Sequence, residues 1–197
     1  MIAVVDYGAG NLTSVMKALA HLQAEAAITR DPNVVGSADK IILPGVGHFS
    51  ATSILEREGL KSAILRGVER GVPFLGICVG MQWLFESSTE APGTEGLGLL
   101  AGACAKFPDA VKSPHVGWNS LVCHDGSRLL RGISSGAFVY FTHSYSAPVV
   151  PATVARCEYG GEFSAAVERD NLFGVQFHPE KSGATGLRLL ENFCDLS

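Results

Sequence analysis

The chain has 197 residues, 47% of them hydrophobic and 17% charged, with a formal net charge of −4. That length fits one domain, 1–197, burying about 70% of its unfolded surface. The slight negative charge and the lack of any Lys/Arg run argue against nucleic acid as a partner, and no apolar run reaches the ~18 residues of a membrane span.

Met1 to Val5 is apolar, has no basic start and meets Asp6 at once, so it reads as part of a strand over 2–7 and not as a signal peptide. Apolar residues at helical period predict a helix over 11–22, followed by strands over 26–29 and 40–43. A helical stretch over 49–71 carries a break at Gly59, and 73–77 reads as another strand. This β-α alternation implies a parallel sheet with helices on both faces. The Ser-, Thr-, Glu- and Gly-rich segment 87–96 reads as a mobile loop. Strands then dominate, over 116–123, 137–147, 153–159, 164–169 and 173–177, before a closing helix over 183–194. The sheet is therefore expected to be mixed, with an antiparallel extension.

Gly76-Ile77-Cys78-Val79-Gly80 follows an apolar run and precedes a helix-like one over 82–86. That is the pattern of a nucleophile elbow with Cys at the bend. The flanking glycines avoid clashes where strand turns into helix, and a helix amino terminus favours the thiolate. Val175-Gln176-Phe177-His178-Pro179-Glu180 reads as a strand stopped by a proline. A thiol nucleophile needs a base, usually His, and the base needs a group to hold its tautomer. His178 and Glu180 suit those two parts. Taken singly, the Cys reads as a buried turn residue and the His as a strand-end residue; the ordered set Cys78, His178, Glu180 points to catalysis.

Gly45-Val46-Gly47 follows a predicted strand directly and offers unhindered amides. An oxyanion hole is expected from the amide of Val79 and one amide of Gly45, Val46 or Gly47. Gly8-Ala9-Gly10 lacks the third glycine of a dinucleotide loop, with Thr13 in its place, so NAD is rejected. Because ligands of open α/β sheets bind beyond the carboxyl strand ends, Cys78, residues 44–47 and residues 8–11 should share one edge. The five cysteines are widely spaced and form no C-x-x-C, which argues for a reducing cytosol, no disulfide framework and no zinc. No metal and no organic cofactor is expected.

Gly76 to Gln82 together with Phe177-His178-Pro179-Glu180 resembles the class I, triad-type glutamine amidotransferases. Ile2 to Leu12, Leu43 to Phe49, Val116-Gly117-Trp118-Asn119 and His143-Ser144-Tyr145 resemble, more narrowly, the glutaminase subunits of imidazole glycerol phosphate synthase. The resemblance spans essentially the whole chain. It implies a flavodoxin-like three-layer α/β fold with a mostly parallel central sheet. It also implies hydrolysis of glutamine to glutamate and ammonia through a glutamyl thioester. The ammonia would pass to a (β/α)8-barrel cyclase subunit in a cytoplasmic heterodimer, which makes imidazole glycerol phosphate and AICAR in histidine biosynthesis. The glutaminase subunit of pyridoxal phosphate synthase is the alternative, and D-Y-G-x-G-N with P-G-V-G-H-F favours the first.

By the same resemblance, Gln82, His143, Ser144 and Tyr145 hold the amino-acid end of glutamine. The amide of Val46 turns inward when the partner is loaded. Asn11, Trp118, Tyr140 and Lys181 lie at the docking face, Tyr140 gating the passage and Lys181 meeting an acidic group. Read without the resemblance, Gln82 is a solvated helix residue, His143 a core histidine bonded to a main-chain carbonyl, and Trp118 a core aromatic.

Overall fold

The computed structural model describes residues 1–196. In chain order the elements are Ile2–Val5 (β1), Leu12–His21 (α1), Ala26–Thr29 (β2), Pro32–Ser37 (α2) and Lys40–Gly45 (β3). A 3-10 turn over Phe49–Thr52 leads to Ser53–Arg57 (α3), Leu60–Glu69 (α4), Phe74–Cys78 (β4) and Val79–Gln82 (α5). Next come Phe85–Ser88 (β5), Leu100–Lys106 (β6), His115–Ser120 (β7), Val122–Cys123 (β8), Phe138–His143 (β9) and Tyr145–Ser146 (β10). Thr153–Glu158 (β11), Glu162–Arg169 (β12), Leu172–Val175 (β13) and Gly183–Asp195 (α6) complete the fold.

Eight strands form the main sheet in the order β2-β1-β3-β4-β13-β12-β11-β8. The first five are parallel and the last three antiparallel. The parallel part has the 2-1-3-4-5 order of flavodoxin-like sheets. β1, β4 and β13 are buried throughout and read as unbroken apolar runs because helices cover both faces. From β1 through α1 to β2 the chain moves one way along the sheet, and from β2 through α2 to β3 it moves the other way. Right-handed crossovers therefore put α1 and α2 on opposite faces. α1 packs beside α6, and α2 beside α4.

Several boundaries differ from the sequence reading. The single strand expected over 116–123 is split at the buried Leu121, whose amide bonds the Ala137 carbonyl. β7 pairs with β9 in a separate two-stranded ribbon, and β8 joins the main-sheet edge. The strand expected over 137–147 breaks at Ser144, whose carbonyl accepts from the Phe107 amide. β6 was not anticipated; its Ala, Gly and Cys residues have weak strand signals. α2 was also not anticipated; Asp31 caps it and Pro32 begins it. The break at Gly59 does occur, with φ +73. The helix after Cys78 lasts one turn, because the carbonyls of Trp83 and Phe85 accept from the amides of Leu97 and Gly98. Segment 87–96, read as mobile, is tied down: Thr89 donates to Cys104, Gly96 to Glu86, and Ser87 bridges Glu95.

Candidate active site

Cys78 ends β4 with φ +54 and ψ −108, a strained backbone that a side chain rarely adopts. A side chain on Gly76 would collide with the Gly80 carbonyl, and one on Gly80 with the Leu43 carbonyl. Register then fixes what flanks the sulfur. Gly45 on β3 lies directly opposite Cys78. On the other side Val175 lies opposite Ile77, so Gln176 is level with Cys78 and His178 lies two residues beyond. The loop at Gly10 reaches this edge too, where a side chain on Gly10 would press against the Pro44 carbonyl.

His178 is buried, and its Nδ1 lies 3.0 Å from Glu180 Oε1, with both side chains 1% exposed. The peptide between them is held, since the His178 amide donates to the Tyr140 carbonyl and Ser182 Oγ donates to the His178 carbonyl at 2.7 Å. Among the described residues His178 Nε2 has no nitrogen or oxygen partner; the Cys78 sulfur lies close enough to act on the ring. Burial by itself would lower the imidazole's pKa, but Cys78 and Glu180 outweigh it and raise the value to about 9.

Beside Cys78 is a cleft of about 40 Å³ lined by Gly47, Val79, Gln82, Glu90 and residues 142–145. Gln82 is buried, and its Nε2 donates to the Tyr145 carbonyl at 2.7 Å and to Gln176 Oε1 at 3.1 Å. Gln176 is fully buried and its Nε2 donates to Cys78 Sγ at 3.6 Å. His143 lines the cleft, but its Nδ1 donates to the Tyr145 carbonyl at 2.9 Å. Its Nε2 meets Nδ1 of the buried His115 at 3.3 Å, so its ring bonds only protein groups, as the core reading had it. Burial lowers His143 to about 3 and His115 to about 4, so both rings are neutral near pH 7. Sequence reasoning missed Gln176, Glu90 and His115. The one available signal was Gln176, a polar residue inside the otherwise apolar run 173–177 that reads as a strand.

The family profile described as "Glutamine amidotransferase class-I" matches residues 3–196. The protein named imidazole glycerol phosphate synthase subunit HisH from Methanothermobacter thermautotrophicus is 46% identical over 197 residues, covering 100% of this chain and 98% of its own. The protein of the same name from Herpetosiphon aurantiacus is 49% identical over 200 residues, covering 100% and 95%. The chain belongs to the class I glutamine amidotransferases, among the HisH subunits. A crystal structure of a glutamine amidotransferase superposes with a TM-score of 0.77 at 20% identity, covering 98% of this chain and 97% of that one, which supports the fold. The relatives carry the imidazole glycerol phosphate synthase name, so the pyridoxal phosphate alternative is not favoured.

The remaining residues of this amidotransferase divide between the cleft and an exposed ribbon. Gly45 is buried with Tyr7, Val79 and Gly80 packed against it, whereas Gly47 is exposed with φ +96 and open space around it. Val46 is half-buried. Ser144 and Tyr145 line the cleft, and both lone pairs of the Tyr145 carbonyl are taken by His143 and Gln82. Trp118 is 55% exposed, so it is not a core residue. It pairs with Tyr140 across β7 and β9, and Lys181 Nζ lies 5.8 Å from the Tyr140 ring centre. Asn11 caps α1 by accepting from the Ser14 amide, which anchors its side chain beside this edge. Among the described residues no helix is long and apolar enough to cross a membrane, and no three His, Cys, Asp or Glu residues cluster as metal ligands.

Proposed function

We propose that Cys78, His178 and Glu180 form the triad by which this amidotransferase splits glutamine, and that the chain is one amidotransferase domain. The observation that carries the reading is His178, buried with Nδ1 on Glu180 and with Nε2, which has no nitrogen or oxygen partner among the described residues, beside Cys78. The Cys78 thiolate attacks the side-chain amide carbon. The oxyanion takes the Val79 amide and one amide from Gly45 to Gly47; each such donor is worth about 3–4 kcal/mol. His178, with its pKa at about 9, is protonated at neutral pH and gives its proton to the departing nitrogen, releasing ammonia. Neutral His178 then takes a proton from water, which hydrolyses the glutamyl thioester to glutamate. Glu180 holds the Nδ1–H tautomer throughout.

Among the described residues Glu90 is the one carboxylate lining the cleft, and it suits the α-ammonium of glutamine. Ser144 suits the α-carboxylate. A 40 Å³ cleft is narrow for glutamine, and Gly47, free of steric limits, is the wall that can move.

Ammonia in water would protonate and diffuse away, so the site gains by docking over an acceptor. Val116, Trp118 and Phe138 are each more than half exposed on one ribbon whose Thr142 lines the cleft. An apolar exposed face continuous with the nucleophile fits a docked partner. In this reading the partner is the (β/α)8-barrel cyclase subunit, the heterodimer serves histidine biosynthesis in the cytoplasm, and Asn11, Trp118, Tyr140 and Lys181 lie at the interface. Co-purification with a cyclase subunit tests it, followed by glutamate release with and without the cyclase's nucleotide ligand. Release should be low from the chain alone and rise with the loaded complex. Equal rates in both would contradict the coupling.

A further inference from the structure

We infer that Gln176 is a further catalytic residue: its side-chain amide donates to Cys78 Sγ and favours the thiolate, while Gln82 ties that amide to the Tyr145 carbonyl at the cleft wall. This rests on the triad reading above.

The direction of each hydrogen bond is forced. The Tyr145 carbonyl can only accept, so the Gln82 group facing it at 2.7 Å is the NH₂. That NH₂ also faces Gln176 at 3.1 Å, so the Gln176 atom there is the carbonyl oxygen. The remaining Gln176 group, 3.6 Å from Sγ, is then the NH₂. His143 braces the same Tyr145 carbonyl from the other side. Asn119, His115 and His143 extend that brace into the core through neutral rings of fixed tautomer.

Besides the His178 imidazolium, two groups compete for the sulfur. The Thr142 carbonyl, 4.0 Å away, accepts and so favours the neutral S–H. Gln176 donates and so favours the anion. Among the described residues it is the one side-chain donor to Sγ besides the His178 ring. The helix after Cys78 is a single turn and adds little dipole, so Gln176 is a fixed neutral donor acting alongside the His178 imidazolium. Gln176 directly follows β13, which puts it level with Cys78, and it is fully buried, so its amide cannot turn to water instead.

The test follows the rate of iodoacetamide alkylation at Cys78 against pH, read by peptide mass spectrometry on the full chain. Gln176→Met keeps the volume and removes the donor; Gln176→Glu keeps the shape and replaces the donor with a carboxylate. Near-ultraviolet circular dichroism checks that each is folded. The reactivity midpoint should rise by about one pH unit in Gln176→Met and further in Gln176→Glu, and by less in Gln82→Met, which keeps the donor. A folded Gln176→Met with the parent midpoint would overturn the proposal; if that variant does not fold, an unchanged midpoint in Gln176→Glu would do so. If the Cys78 midpoint in the parent protein is no lower than the roughly 8.5 of an ordinary thiol, the triad reading itself fails and this inference with it.

Discussion

The carbonyl of Leu43 occupies the place where a side chain on Gly80 would begin. β3 is thus pressed directly against the turn that presents Cys78, and the elbow keeps its strained φ because both neighbours over-determine it. Gly80→Ala is expected to destabilise the protein by more than about 3 kcal/mol and to abolish glutamate release. Gly47→Ala, which meets only open space, should lower stability by about 1–2 kcal/mol through its positive φ. Denaturant titration of the two variants distinguishes them; equal losses would mean that the close packing at Gly80 is not what matters.

Stability should decline on both sides of neutrality. The His178 value near 9 lies above the ordinary 6.5, so its contribution is complete below about pH 6.5 and is lost as pH rises through 9. The loss is on the order of 3 kcal/mol, and His178→Asn should flatten this limb. The values for His143 near 3 and His115 near 4 lie below 6.5, so their contributions are complete above pH 6.5 and are lost as pH falls toward 3. Melting temperatures across pH 4 to 10 read both limbs.

Tyr7 is fully buried, and its hydroxyl has no partner among the described residues. Its ring fills the space that Gly45 leaves, with the hydroxyl packed against the Gly45 backbone. Tyr7→Phe removes an unpaired polar atom and keeps the ring, so the protein should gain up to about 1–2 kcal/mol. A loss of more than about 1 kcal/mol on chemical denaturation would show that the hydroxyl has an acceptor.

Trp118 contributes little to the isolated fold, being 55% exposed and touching Tyr140 edge-on. Trp118→Ala should change the free chain's stability by less than about 0.5 kcal/mol and weaken cyclase binding by at least about 2 kcal/mol. Calorimetric titration with the cyclase checks this. Unchanged affinity would remove Trp118 from the interface.

The alternation of strands and helices up to Cys78, and the glycines around it, were legible because period and steric need are local properties. The same locality made His178 and Glu180 legible, two residues apart across a proline. Pairings set by the fold were not. His115 gave no sign of meeting His143, nor Glu90 of reaching the cleft from a segment that composition marks as loose. Gln176 stood out only as a polar residue in an apolar strand, and its place beside Cys78 comes from the register of β13 on β4. Trp118 is apolar enough to suggest a core, yet strand alternation turns it outward on the β7–β9 ribbon.

The central claim is that Cys78 is the nucleophile for glutamine. Treatment of the cyclase complex with diazo-oxo-norleucine, a glutamine-like electrophile, followed by peptide mapping, tests it most directly. A single adduct on Cys78, with glutamate release lost in proportion, is the predicted result. An adduct on Cys104, Cys123, Cys157 or Cys194 instead, or no adduct while release continues, would contradict it.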